Sequence, residues 1–244
     1  MMKYGAVSVA GVNTSGASKV NQDAASCIAL ANGAILAVSD GAGSAAYSNI
    51  GSQLIVRRFC RSFAYRDIPA SLLEFDVIVR SLVKKIRRQL LRLSRMYNLS
   101  AKLEDFHSTL LFVAIFGDRC FVAHLGDGAC MIFDQNRDIM SISLPENGEY
   151  ANQTHFITED NWMKHLRCRE IPGNVHSCLI MSDGVTPLAL KNDTNFPQFT
   201  TPLLNFLKTS EPTEATQSLS ETLRSDTVMK ISSDDKSLAW WLRC

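Results

Sequence analysis

The chain holds seven cysteines (27, 60, 120, 130, 168, 178 and 244) but no Cys-x-x-Cys pair. Without that spacing a structural zinc site is not expected, and the odd count argues against a full disulfide framework. A reducing, cytoplasmic setting follows as the economical expectation. No apolar run approaches the length that spans a bilayer, and the stretch Met1–Val7 lacks the apolar core of a secretory signal. Charge of one sign is lacking too: 25 Lys and Arg against 24 Asp and Glu leave a formal charge of +1, with no global pull toward nucleic acid or membrane. There is no Gly-x-x-x-x-Gly-Lys-Ser/Thr loop for nucleotide phosphates and no Gly-x-Ser-x-Gly elbow for a serine nucleophile. Repeats, low-complexity tracts and linkers are absent, so the expectation is one domain over residues 1–244.

What remains is an ordinary globular composition, 46% apolar and 20% charged, long enough to bury a substantial core. Gly5 to Gly11, Ala24 to Leu30 and Ile35 to Val38 read as strands, the last two joined by the hairpin-type turn Ala31-Asn32-Gly33. Asn49 to Arg66 and Leu72 to Asn98 read as helices. In the second, Phe75, Ile78, Leu82, Ile86, Leu90 and Leu93 recur at helical spacing. Four strand-like runs follow at short intervals: Ser108 to Ile115, Cys120 to Leu125, Ala129 to Phe133 and Ile139 to Leu144. That density means antiparallel sheet rather than alternating βαβ units. Pro145 to Gly173 is polar and irregular, a flap or an excursion at a sheet edge. Val175 to Met181 is a further strand, helices are expected around Pro202–Lys208 and Glu214–Leu223, and Leu238 to Leu242 closes the chain as a strand.

Asp residues recur where these apolar runs stop. Ile35 to Val38 ends in Ser39-Asp40-Gly41, Val175 to Met181 ends in Ser182-Asp183-Gly184, and Asp23 and Asp234 each precede a strand. One Asp-Gly is usually only a turn. Four acids at strand edges, however, cannot stay ionised together in a core without compensating cations. Hard divalent ions with oxygen ligands resolve this, magnesium or manganese rather than zinc. Two such ions roughly 3.5–4 Å apart polarise a phosphoryl group and generate hydroxide at neutral pH, which is what phosphate-ester hydrolysis needs.

The chain resembles the metal-dependent serine/threonine phosphatases of the 2C type, in particular the compact bacterial branch. The match runs in order through Asn21-Gln22-Asp23, Val38-Ser39-Asp40-Gly41-Ala42-Gly43-Ser44, Ser108-Thr109-Leu110, Leu125-Gly126-Asp127-Gly128, Met181-Ser182-Asp183-Gly184 and Asp234-Asp235-Lys236-Ser237. The resemblance implies an α+β fold: a four-layer α-β-β-α sandwich of two antiparallel sheets flanked by helices, with a metal cleft at one end. It implies that Asp40 bridges two Mn²⁺ or Mg²⁺ ions, that the Gly41 carbonyl binds one of them, and that Asp183 and Asp234 complete the coordination. Asp23 would hold metal-bound water, Asp105 would serve a looser third ion, and Thr109 and Asp127 would be architectural. Phosphoprotein substrates and a cognate Ser/Thr kinase are the implied partners.

Three departures from the family pattern bear on the site. Gln22 stands where a Glu is common and offers a metal only a carbonyl oxygen. Ser18, with Lys19 beside it, stands where an Arg often grips the substrate phosphate; Lys19 supplies a point charge without the bidentate fork. Ala42 replaces a His that some members carry, so leaving-group protonation falls to metal-bound water. Two functional classes follow: a phosphatase acting through metal-activated water, or a weakened module that binds phosphoproteins or a kinase. The cationic face of the second helix (Arg80, Lys84, Lys85, Arg87, Arg88, Arg92, Arg95) reads as a solvated surface with some arginines paired to acids. A docking face for an acidic partner and a nucleic-acid grip are the less favoured alternatives. His124, inside an apolar strand, reads as a hydrogen-bonded structural residue.

Overall fold

Along each strand successive side chains point to opposite faces, so a strand apolar on both faces must be covered on both. Leu110 to Phe116 and Leu238 to Leu242 are of this kind, and they demand layers above and below. The computed structural model describes residues 2–12, 19–97, 100–145 and 154–244. Its elements in chain order begin with β1 (Met2–Val9), β2 (Ala24–Leu30) and β3 (Gly33–Ser39), then α1 (Ser48–Ala64), α2 (Leu72–Met96) and a 3₁₀ turn at Leu103–Phe106. Next come β4 (Leu110–Phe116), β5 (Arg119–Leu125), β6 (Ala129–Phe133), β7 (Ile139–Ser143), α3 (Trp162–His165), β8 (Arg167–Ile171) and β9 (Ser177–Met181). The chain ends with α4 (Thr186–Ala189), the two-residue strands β10 (Leu190–Lys191) and β11 (Thr194–Asn195), α5 (Pro197–Thr209), α6 (Pro212–Leu223), α7 (Asp226–Met229) and β12 (Lys236–Arg243).

Two five-stranded antiparallel sheets result, in the orders β1-β12-β9-β6-β7 and β2-β3-β4-β5-β8. Between them Leu36, Val38, Leu111, Val113 and Val122 of one sheet meet Cys130, Ile132, Cys178, Ile180 and Trp241 of the other. The outward residues of the second sheet, among them Ile35, Phe112 and Phe121, pack on Phe59, Phe63, Phe75 and Val83 of α1 and α2. On the far side Leu238, Trp240 and Leu242 of β12 pack with Leu203, Leu207 and Leu219 of α5 and α6. This is the expected α-β-β-α order. The hairpin β2–β3 forms as read, with Leu30 opposite Gly33. The irregular stretch after Leu144 contributes β8, which closes the edge beside β5; residues 146–153 of it lie outside the described residues.

Among the described residues the cysteines form no disulfide, and Cys120 and Cys178 are fully buried core residues as read from sequence. His124 is buried too: its Nδ1 lies 2.8 Å from Ser143 Oγ, and burial together with Arg167 and Arg169 pushes its pKa down to about 3. It is a neutral structural residue. Among the described residues, no helix is long and apolar enough to cross a membrane.

The ring of Phe112 sits 5.0 Å from that of Phe59 and 4.7 Å from that of Phe63, at the centre of the contact between sheet and helices. Truncating so buried a ring forfeits transfer energy and leaves a cavity, so Phe112→Ala should destabilise by about 3–5 kcal/mol in urea unfolding. Tyr65→Ala, at a ring 92% exposed, should stay within about 0.5 kcal/mol of wild type.

Candidate active site

Antiparallel pairing places the start of one strand beside the end of its neighbour, and here that geometry gathers the acids. Ala24 pairs with Ser39, so Asp23 entering β2 sits next to Asp40 leaving β3. In the other sheet Met181 pairs with both Ala129 and Leu238, which sets Asp183 beyond β9 between the Asp127 and Asp234 ends. Leu110 pairs with Leu125, and the chain then crosses from one sheet to the other through Gly126-Asp127-Gly128. Gly126 has φ +124°, and a Cβ there would stand 2.5 Å from the Thr109 methyl, so only glycine makes this crossing.

The loops are tied at the backbone. The Asp40 amide donates to Thr109 Oγ1 at 2.9 Å, the Thr109 amide donates to the Asp40 carbonyl at 2.8 Å, and Ser39 Oγ donates to the Thr109 carbonyl at 2.6 Å. Thr109 is therefore architectural, as read. Gly41 lies so close to the chain before β2 that a Cβ would meet the Gln22 carbonyl oxygen at 2.4 Å. Asp235, which was not singled out from sequence, is the second tie. Its carboxylate is buried and accepts the Gly11 amide at 2.7 Å and the Gln22 amide at 2.6 Å, stitching the N-terminal segment to the start of β12.

Asp40, Asp127 and Asp183 each present a carboxylate oxygen within 4.8 Å of the other two. Together with Gly41, Asp234, Thr154 and Phe156 they line a cavity of about 410 Å³. One oxygen each of Asp127 and Asp183 is buried without a hydrogen-bond partner, and so are both oxygens of Asp23. Burial pushes every one of these carboxyls upward: Asp23 to about 7, with help from Asp235 and Asp183, and Asp183 to about 6. Asp40 rises well above the usual range through burial and then the charges of Asp23 and Asp183. Asp127 rises by burial against an opposing hydrogen bond from Thr154, whose hydroxyl donates to it. Asp234 differs. Burial would raise it, but the Lys19 ammonium 2.7 Å away outweighs that and holds it below the usual carboxylate range. Crowded, all-oxygen and with buried acceptor positions left open, this donor set fits hard divalent cations, which neutralise the repulsion and fill those positions.

Of the residues expected from sequence, the fold brings Asp40, Gly41, Asp183 and Asp234 to one cavity, with Asp23 as their buried neighbour. Asp127, read from sequence as architectural, also lines this cavity beside Asp40 and Asp183. The signal was present, since Gly126-Asp127-Gly128 repeats the apolar run followed by Asp-Gly seen at Asp40 and Asp183. Asp105 is not brought in: its carboxylate accepts the Lys102 amide at 2.8 Å and caps its own 3₁₀ turn. Gln22 donates its side-chain amide to Ser48 Oγ at 2.6 Å and to the Ala42 carbonyl at 3.3 Å, bracing the Asp40 loop. Lys19 is engaged with Asp234 and, at 3.5 Å, Asp235. Ser18 lies outside the described residues.

Comparison with known proteins agrees with this geometry. The chain is 30% identical over 207 residues to serine/threonine-protein phosphatase 3 of Escherichia coli (strain K12), covering 83% of this chain and 81% of that protein. A crystal structure of a bacterial serine phosphatase superimposes with a TM-score of 0.69 at 15% identity, over 99% of this chain and 98% of its own. The catalytic domain of the serine threonine protein phosphatase PstP, solved in complex with two manganese ions, gives a TM-score of 0.65 at 18% identity, over 99% and 97%. At such identities these structures speak for the fold. The sequence profile described as Protein phosphatase 2C matches residues 10–224, which contain every acid of the cluster except Asp234. With sequence, fold and profile in agreement, the chain belongs to the protein phosphatase 2C family.

Proposed function

We propose that this protein serine/threonine phosphatase hydrolyses phosphoserine and phosphothreonine in proteins by attack of metal-activated water, as one domain spanning residues 1–244. The observation that carries the reading is the convergence of Asp40, Asp127 and Asp183 within 4.8 Å, with buried oxygens left unpartnered. Asp40, Asp183, Asp127, Asp234 and the Gly41 carbonyl would hold two divalent ions, Mn²⁺ or Mg²⁺. When bound, such ions lower the pKa of water and polarise the phosphoryl oxygens.

The chain's own residues supply the rest. Thr109 and Ser39 fix the Asp40 carboxylate on a rigid strand end, which preorganises the cradle. Asp23, buried beside Asp40 and Asp183 with both carboxylate oxygens unpartnered, would accept a hydrogen bond from the attacking water and orient it. Lys19, tethered by Asp234, sets a positive charge at the mouth of the cavity for the phosphate. A water oxygen bonds to phosphorus in line, the ester P–O bond breaks, and the departing seryl or threonyl oxygen takes a proton from water; no covalent phosphoenzyme forms. Gln22 bracing the Asp40 loop supports turnover over a binding-only module, because the departure from Glu leaves the loop supported. The implied partners are phosphoprotein substrates and the kinase that makes them, and the proposed setting is the cytoplasm.

Asp40→Asn and Asp183→Asn should each lower kcat/KM on a phosphothreonine peptide with Mn²⁺ on the order of 10³-fold, because several kcal/mol of charge stabilisation is lost. Calorimetry should show loss of Mn²⁺ binding in the same variants. Wild-type turnover in Asp40→Asn would remove the proposed mechanism.

The pH dependence has a definite sign. Carboxyls whose folded pKa lies above the unfolded value take up protons on folding, so stability falls as pH rises between the two values. For Asp23 that window runs from 3.8 to about 7, and for Asp183 from 3.8 to about 6. Metal-free protein should therefore melt at a lower temperature at about pH 8 than at about pH 5, and the Tm gain from saturating Mn²⁺ should grow over the same interval. Scanning calorimetry checks this; a flat metal-free profile would contradict the burial of these acids.

A further inference from the structure

The helical layer over the second sheet carries a charge pattern that the active site does not use. From Val77 to Met96, α2 contains seven Lys and Arg and no acid, and α1 adds Arg57, Arg58 and Arg61, again with no acid in the helix. Two of the α2 cations have structural work. Arg80 pairs with Asp76 at 2.7 Å, and Arg87 donates to the carbonyls of Ile157 and Glu159 and to Asp160, strapping the segment that carries Phe156. The expectation that some arginines pair with acids therefore holds for that face.

Lys85, Arg88 and Arg92 are different. Among the described residues no acid lies within ion-pairing distance of any of them. Arg88 and Arg92 are four residues apart and Lys85 and Arg88 three, spacings at which like charges stack and weaken a helix. All three converge with Arg58, from the facing helix, on a cleft of about 460 Å³. Arg58 Nε donates to Gln89 Oε1 at 2.7 Å, which locks the guanidinium across the cleft and leaves its terminal NH₂ groups free to donate. The floor is apolar, formed by the buried Leu82 and Ile86 and rising through Leu93 to Met96, which is 73% exposed.

We propose that this cleft docks an acidic, amphipathic segment of a partner protein, with carboxylates on the Arg58, Lys85, Arg88 and Arg92 heads and apolar side chains on the floor. Lys85 to Met96 extends about 17 Å along the helix axis, room for three turns of a partner helix. The chemistry selects protein over nucleic acid. Among the described residues the cleft lining has no aromatic ring on which a base would stack, and the cations rim an apolar floor that phosphodiester offers nothing to cover. A formal charge of +1 over the whole chain leaves the attraction local to this patch. The far end of α2 is joined to the active-site loop: Ser94 Oγ donates to the Ala101 carbonyl, and the following 3₁₀ turn accepts the Tyr47 amide at the Asp105 carbonyl. A docked partner is thus held on the layer that frames the catalytic loop. Docking is independent of phosphate hydrolysis and is measured without it.

The test is fluorescence anisotropy of the full chain with a labelled helical peptide of about twelve residues, bearing Glu on one face and Leu on the other. Wild type should bind, and raising salt from about 50 to about 300 mM should weaken binding severalfold. Arg88→Glu with Arg92→Glu should weaken binding at least about tenfold, the scale of two lost charge-assisted contacts, while turnover of p-nitrophenyl phosphate stays at the wild-type value. Arg58→Gln, a single exposed change, should weaken binding in the same direction and serves if the double variant melts early. Replacing the peptide leucines by serine should weaken it as well. Equal binding by wild type and both variants, no binding at low salt, or tighter binding of a single-stranded DNA of equal charge would overturn the proposal.

Discussion

Repulsion between carboxylates held out of water is the constraint that the rest of this structure answers to. At least five acids come together at one end of the sandwich, and burial raises the pKa of four of them, Asp23, Asp40, Asp127 and Asp183. Nothing in an isolated hairpin would tolerate that. Two sheets with apolar faces on both sides supply the energy that keeps the strand ends in register, and the register sets the acids. The cross-links between loops follow the same need. Thr109 clamps the backbone of Asp40, Asp235 stitches Gly11 and Gln22 to β12, and Ser182 Oγ accepts the Ser237 amide at 2.9 Å. The Thr109 and Ser182 bonds fix the loops of Asp40 and Asp183 without engaging their carboxylates, whereas Asp235 gives both its oxygens to backbone amides.

Asp234 shows the other resolution of the same problem. It is the most solvent-exposed acid at the site, and it is answered within the chain by Lys19. The site therefore has a screened rim and an unscreened interior. That gradient suits a ligand whose cations go deep and whose anionic phosphate stays at the mouth. The cationic helix face is electrostatically separate. Its partners on one side are structural, while on the other side Arg58, Lys85, Arg88 and Arg92 surround an apolar floor.

Much was legible before any coordinates. Short continuous apolar runs ending in Asp-Gly marked the strand ends, helical spacing marked α2, and the β2–β3 hairpin was visible in its turn. What was missed has a common cause. Asp127 has the same local signature as Asp40, yet its role depends on the chain changing sheets at Gly126, a step that no local pattern records. Asp235 sits beside Asp234 in sequence, but just before β12 its carboxylate turns inward to the Gly11 and Gln22 amides while that of Asp234 meets Lys19. Asp105 looked available because its cap on Lys102 is a three-residue loop of backbone geometry. β8 escaped notice because a short polar edge strand, with Arg167, Arg169 and Glu170 among its five residues, carries almost no apolar signal.

The sequence by itself determined where most strands and helices lie and that acids close the apolar runs, since those signals act through nearest neighbours and through burial summed along each element; the layer order came from the family resemblance. Only the tertiary structure decided which acids share a cavity, which are spent on backbone ties, and which cations are left to face solvent. Those outcomes rest on contacts between residues as far apart as Gly11 and Asp235 or Lys19 and Asp234. Coulomb and hydrogen-bond energies depend on distance in space, and distance along the chain does not report it.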